Sequence, residues 1–174
     1  MLNRRRLNDT FYTDTLFSKV KSMNGNTCAQ VYSNGSFTKV FPMADKTGAR
    51  VGQTLTDFAD DVGIPDTLVM DLAPEQAGKH TEMQTEARRL RVRIRYTEKG
   101  RSEQNHTAEG EIGQLKRRWK HRMTTKNVPR CLWDYGLMHE AEVLSILARG
   151  KDQVPGLEKV LGQTIDISEY LDFG

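Results

Sequence analysis

Phe11-Tyr12-Thr13-Asp14-Thr15-Leu16-Phe17 holds three aromatic and two β-branched residues around a single central acid. That composition suits a pleated, partly buried strand, and it decides where the fold begins. Downstream, Thr27 to Ser33 and Ser36 to Phe41 are two further β-prone runs on either side of Asn34-Gly35. Asn-Gly predicts a tight hairpin, because both central positions of a type I′ turn need positive φ. Pro42 closes it. Three antiparallel strands open the chain.

The pattern then alternates. Val51, Leu55, Phe58, Ala59 and Val62 recur on one face of an amphipathic helix, which Gly63 and Pro65 end. Thr67-Leu68-Val69-Met70 reads as a short buried strand opening at Asp71 into a polar loop, and a helix follows over Thr81 to Leu90. Val92-Arg93-Ile94-Arg95-Tyr96 alternates apolar and basic residues, as a half-exposed strand near a sheet edge does. From Glu103 the reading is helical, with Ile112, Leu115, Trp119 and Met123 as the apolar stripe and Lys116, Arg117, Lys120 and Arg122 on other faces. A last helix spans about Arg130 to Arg149, with Leu132, Gly136, Val143, Ile146 and Leu147 inward. Trp119 and Trp133 fall on amphipathic faces and read as core rather than as base-stacking platforms.

This order predicts an α/β fold: a mixed sheet of three antiparallel strands, then parallel strands, flanked by helices. Its domain reading is a basic N-terminal extension at 1–10, a core at 11–149 and a tail at 150–174. The chain has 174 residues, of which 37% are hydrophobic, enough for one modest core. No run approaches the ~18–20 apolar residues of a membrane span, and no apolar stretch follows the basic Met1 to Arg6 as a secretory leader needs. Cys28 and Cys131 are too few for a disulfide framework, so an intracellular location is expected.

Charge is distributed unevenly. Between Arg88 and Arg130 lie 14 Lys and Arg against 4 Glu, a net of +10, which leaves −7 on the rest of the chain and +3 overall. A basic block in an otherwise acidic chain points to a polyanionic partner, nucleic acid before membrane.

Three acids hold informative places: Asp14 inside the first strand, Asp71 at the end of the fourth, and Glu109 at the start of the basic helix. An acid within a short apolar strand is costly to bury unless it is paired or bound to a cation. Carboxylates converging at the carboxyl end of a sheet repel one another and call for a divalent ion. Mg²⁺ takes oxygen ligands and keeps open water positions, and two such ions suit in-line phosphodiester displacement. The bland alternatives are an Asp14 ion pair with an arginine and a Glu109 that merely complements the helix dipole.

Gln104-Asn105-His106-Thr107-Ala108-Glu109, followed by Ile112-Gly113-Gln114-Leu115-Lys116, resembles the glutamate motif of retroelement integrases, Gln-Asn-Gly-x-Ala-Glu. Asp71-Leu72-Ala73-Pro74-Glu75-Gln76 stands where that family often has Asp-Asn-Gly-Gly-Glu-Phe, and Phe11 to Phe17 match its first aspartate segment. The intervals, 57 residues from Asp14 to Asp71 and 38 from Asp71 to Glu109, fit its spacing. Val128-Pro129-Arg130-Cys131-Leu132-Trp133 and Gly162-Gln163-Thr164-Ile165-Asp166-Ile167-Ser168 look like segments that follow the core in copia-type retrotransposon polyproteins.

The resemblance implies a ribonuclease H-like fold with a DDE triad of Asp14, Asp71 and Glu109. It implies two Mg²⁺ or Mn²⁺ ions and a polynucleotidyl transferase that trims DNA 3′ ends and joins them to target DNA in the nucleus. A homo-oligomer is compatible with it, and a membrane partner is not expected. Lys116, two helical turns beyond Glu109 on the same face, could then contact DNA phosphate, with Arg117 and Lys120 beside it. Two further readings stand alongside: a catalytically inactive remnant that only binds nucleic acid, and an RNA-cleaving ribonuclease H. Leu72, Ala73, Pro74, Gln76, His106 and Gly110 depart from the family pattern and favour the remnant. The four histidines and two cysteines show no tight paired spacing, so no structural zinc is expected. The triad reading requires the strands of Asp14 and Asp71 to be neighbours in one sheet, with all three carboxylates facing one cleft.

Overall fold

A computed structural model of the chain describes residues 4–71, 81–97, 106–148, 152–162, 164 and 166, and only the backbone of residues 71 and 106–109. Five strands form one sheet: β1 (Arg6–Phe17), β2 (Cys28–Ser33), β3 (Thr38–Met43), β4 (Ile64–Asp71) and β5 (Arg93–Thr97), in the order β3-β2-β1-β4-β5. β1–β2 and β2–β3 pair antiparallel, while β1–β4 and β4–β5 pair parallel. Helices α1 (Gly48–Asp61), α2 (Glu82–Arg89), α3 (His106–Thr125), α4 (Trp133–Ile146) and α5 (Gly156–Leu161) surround it, with a 3₁₀ turn at Arg130–Leu132 leading into α4. The mixed sheet flanked by helices is the architecture read from the sequence.

The alternation of β1 feeds two cores. Phe11 points into a cluster with Tyr32, Leu55, Phe58, Leu68, Met83 and Val160, on the side of α1 and α2. Leu16, on the opposite face, joins Val31, Val40, Ile112, Leu115, Trp133, Leu137 and Leu144 beneath α3 and α4. Phe58 is fully buried and stacks on Tyr32 at 4.8 Å, with Phe11 edge-on at 4.9 Å. Burial of a side chain of this kind stabilises the fold by roughly 1.5–3 kcal/mol.

Several expectations are corrected in detail. β1 begins at Arg6, not Phe11, because the backbone of Arg6 and Leu7 pairs with Ile64 and Pro65 whatever the polarity of the side chains. The hairpin is not a two-residue type I′ turn. Only Gly35 takes positive φ (94°), and the Asn34 side chain accepts hydrogen bonds from the backbone N–H of Ser36 and Phe37 at 3.1 and 2.7 Å. Asn34 thus closes a longer loop through its own amide oxygen. Pro42 lies within β3 opposite Ala29, tolerated because β3 is an edge strand.

The inward face of α4 is also rotated from the expected one. Trp133, Asp134, Leu137, Glu140, Ala141, Leu144 and Ser145 are buried, while Leu147 is exposed. Two acids share that face because each meets partners there. Asp134 accepts hydrogen bonds from Asn26 Nδ2 at 2.8 Å, Asn24 Nδ2 at 3.4 Å and the Tyr135 N–H at 3.0 Å. Burial opposes its charge, but hydrogen bonds from Ser22, Asn26, Tyr135 and Asn24 prevail and hold the carboxyl below the usual carboxylate range. Gly136 sits where α3 and α4 cross: a Cβ there would lie 2.9 Å from Met123 Sδ.

Candidate active site

Helices α3 and α4 pack over β2 and β3, and the core beneath them contains no residue of β4 or β5. On the same face of the sheet, the C-terminal part of β1 carries Leu16, buried in that core, and Asp14. Asp14 sits there, opposite Val31 of β2, with 48% of its side chain exposed. Burial does not threaten this acid, contrary to the cost expected for an acid inside an apolar strand. One oxygen, Oδ1, accepts the Thr15 N–H at 2.7 Å, and the other, Oδ2, lies 3.7 Å from Lys116 Nζ. The structure thus brings together an acid and a base that stand 102 residues apart in the sequence.

Asp71 enters through register. β1 and β4 are neighbours, as the triad reading requires, and their last recorded pair is Thr13 with Met70. Position 71 follows immediately, next to position 14 on the adjacent parallel strand, and its backbone pairs on the other side with Thr97. Glu109 occupies the fourth position of α3. Lys116 lies seven residues on, two turns or about 10 Å along the axis and on the same flank. Helical side chains lean toward the N-terminus of their helix, so the reach of Lys116 toward Asp14 runs toward the turn that carries Glu109.

The side chains of Asp71 and Glu109 lie outside the described residues, as do Leu72, Ala73, Pro74, Gln76 and Gln104. Among the described residues no group of three His, Cys, Asp or Glu is assembled. Within them, Asp14 is an oxygen donor of the hard type that Mg²⁺ and Mn²⁺ favour, and it already faces a cationic nitrogen. A lone carboxylate supplies one of the several oxygen ligands such an ion takes.

Ile112 and Leu115 hold α3 against the sheet, buried as the stripe predicted. Trp119 also packs there and donates from Nε1 to the Trp133 carbonyl at 3.1 Å, so both tryptophans serve the core. Arg117 and Lys120 are exposed, Lys120 one turn beyond Lys116. Sequence reasoning set Arg122 off the apolar stripe of α3 but missed Arg118 and the acid that both arginines share. Arg118 and Arg122 both bond Glu140 of α4 through Nε, Arg118 at 3.0 Å. The signal was present: Glu140 stands three residues after Leu137 and seven after Trp133, at helical spacing on one face.

The sheet order and the placement of the helices are those of retroviral integrase catalytic cores, a ribonuclease H-like fold. One solved structure of similar fold is the catalytic core domain of BIV integrase, at TM-score 0.67 and 12% identity over 95% of this chain and 98% of that one. Another is a chain from the simian T-cell lymphotropic virus intasome in complex with PP2A regulatory subunit B56 gamma. It aligns at TM-score 0.67 and 17% identity over 90% of this chain, which spans 56% of that chain's length. No family model matches the sequence, and no curated protein does. Among the described residues no helix is long and apolar enough to cross a membrane.

Proposed function

We propose that this chain is the catalytic core of a copia-type retrotransposon integrase, acting on DNA ends and target DNA in the nucleus. Asp14, Asp71 and Glu109 would hold two Mg²⁺ or Mn²⁺ ions. The observation that carries the reading is the position of Asp14: half-exposed on β1, one position beyond the Thr13–Met70 pair and so beside position 71, and in contact with a base from the helix of Glu109. The integrase fold of its structural neighbours supports the same assignment.

When bound, the ions would activate an attacking oxygen and stabilise the leaving one in phosphodiester displacement. The chain's own residues do the remaining work. The three carboxylates would supply hard oxygen ligands to those ions. The Thr15 N–H holds one Asp14 oxygen in place, and the other faces Lys116. Lys116 and Lys120 line the flank of α3 that carries Glu109 and provide positive charge for the phosphates on either side of the reacting bond. Arg117 extends this surface.

The inactive, nucleic-acid-binding remnant takes its support from the Asp14–Lys116 pair, which neutralises the acid without any metal. Thermal melting with and without Mn²⁺ separates the two. The integrase reading predicts a higher Tm with Mn²⁺ for the unsubstituted chain and none of that shift for Asp14→Asn. An identical response from both proteins overturns it.

A further inference from the structure

We infer that the groove between α3 and α4 is a second docking point for the phosphodiester backbone of duplex DNA, on the opposite flank of α3 from the Asp14 site. This inference extends the proposed function to a surface which that reading does not use. The groove has a volume of about 260 Å³ and is lined by Arg118, His121, Arg122, Thr125, Lys126 and Glu140.

Its charge suits an anion, although the wall of the groove is formed mostly by side-chain carbon. Glu140 is only 1% exposed, and each of its two carboxylate oxygens is engaged by one guanidinium, Oε2 by Arg118 and Oε1 by Arg122. The single acid in the groove is thereby neutralised, and it anchors the two arginines in place. Both guanidiniums bond it through Nε, while their side chains remain 35% and 38% exposed. A guanidinium has five N–H donors in a rigid fork, so fixing Nε leaves a planar edge of donors suited to phosphate oxygens. Lys126, exposed at the end of the groove, adds a further cation, and these three cations against the one carboxylate sum to +2.

Geometry separates this groove from the first site. At 100° per residue, Arg118 and Arg122 lie about 200° and 240° around α3 from Lys116. Lys116 faces Asp14 on the sheet, whereas Arg118 and Arg122 face Glu140 on α4. A phosphate in the groove therefore cannot be the one beside Lys116. It belongs to another stretch of duplex, or to a second duplex, held without reading its sequence.

The test is the salt dependence of binding to a short blunt-ended DNA duplex, measured on the full chain. Lys126→Gln should lower the slope of log affinity against log salt by about one unit, equally for duplexes of different sequence. A unit of slope is a three- to fourfold smaller fall in affinity across a fourfold rise in salt, on the order of what one phosphate contact gives. Arg118→Lys with Arg122→Lys keeps charge on Glu140 but removes the forks, and should weaken binding further with Tm monitored alongside. If that pair unfolds, Lys126→Gln decides alone. Unchanged slopes in these variants, with a loss of one unit in Lys116→Ala, would overturn the groove and leave the proposed function standing. No salt-dependent binding by the unsubstituted chain overturns both.

Discussion

Lys116 Nζ and Asp14 Oδ2 lie 3.7 Å apart, and each side chain is about half exposed, at 49% and 48%. At that exposure solvent screens the pair, and such contacts contribute only ~0–1 kcal/mol. Its importance is positional: it ties the helix of Glu109 to the strand of Asp14 and puts a cation where the carboxylates would otherwise repel one another.

Lys116→Ala should therefore leave the metal-free Tm nearly unchanged, within about 0.5 kcal/mol of stability. It should tighten Mn²⁺ binding, because a competing cation has been removed from Asp14, and weaken DNA binding. Titration of Mn²⁺ against the melting transition checks the first effect. Weaker Mn²⁺ binding by this variant would show that Lys116 does not compete for the site.

The ion-pair cluster on α4 should respond asymmetrically. Removing both Arg118 and Arg122 leaves Glu140 buried and uncompensated, at a cost of about 3–5 kcal/mol. Glu140→Gln should cost less, about 1–2 kcal/mol, because the two arginines are more than a third exposed and can rehydrate. Urea denaturation of the two variants gives the comparison, and equal losses would contradict it.

Asp134 makes stability depend on pH in the acid range. Its carboxyl is held below the usual range by its hydrogen bonds, so the folded state binds a proton less readily than the unfolded state. That contribution is fully present above the unfolded value of about 3.9 and is lost as pH falls through the lower folded value. Asp134→Asn should flatten this part of the stability–pH curve, and Asp134→Ala should cost about 2–3 kcal/mol at neutral pH. Melting from pH 5 down to about pH 2.5 follows the loss.

Much of the fold was legible because its signals are local. Period-two alternation located β5, and helical spacing located α1 and the buried stripe of α3; the helix expected over Thr81 to Leu90 is α2, where the Thr81 hydroxyl accepts the Gln84 N–H at 3.2 Å. What escaped depends on partners distant in sequence. Reading only apolar residues inward misplaced the face of α4, since Asp134 is buried by virtue of Asn24 and Asn26, and Glu140 by virtue of Arg118 and Arg122. The extra length of β1 came from backbone pairing with β4, and among Arg6 to Asp9 only the buried Leu7 is apolar, too little to show a strand pattern. At the site, the neighbouring strands of Asp14 and Asp71 were foreseen, whereas the ion pair considered for Asp14 was with an arginine. That the base is Lys116 required knowing where α3 crosses the sheet.

The central claim is that Asp14, Asp71 and Glu109 act together on DNA. Mn²⁺-dependent joining of a labelled DNA end to a target duplex measures it most directly. The account predicts joining by the unsubstituted chain and none by Asp14→Asn, Asp71→Asn or Glu109→Gln, with DNA binding retained in all three. Absence of joining in the unsubstituted chain, together with no Mn²⁺-dependent change in its Tm, would contradict it and leave a fold that binds nucleic acid without acting on it.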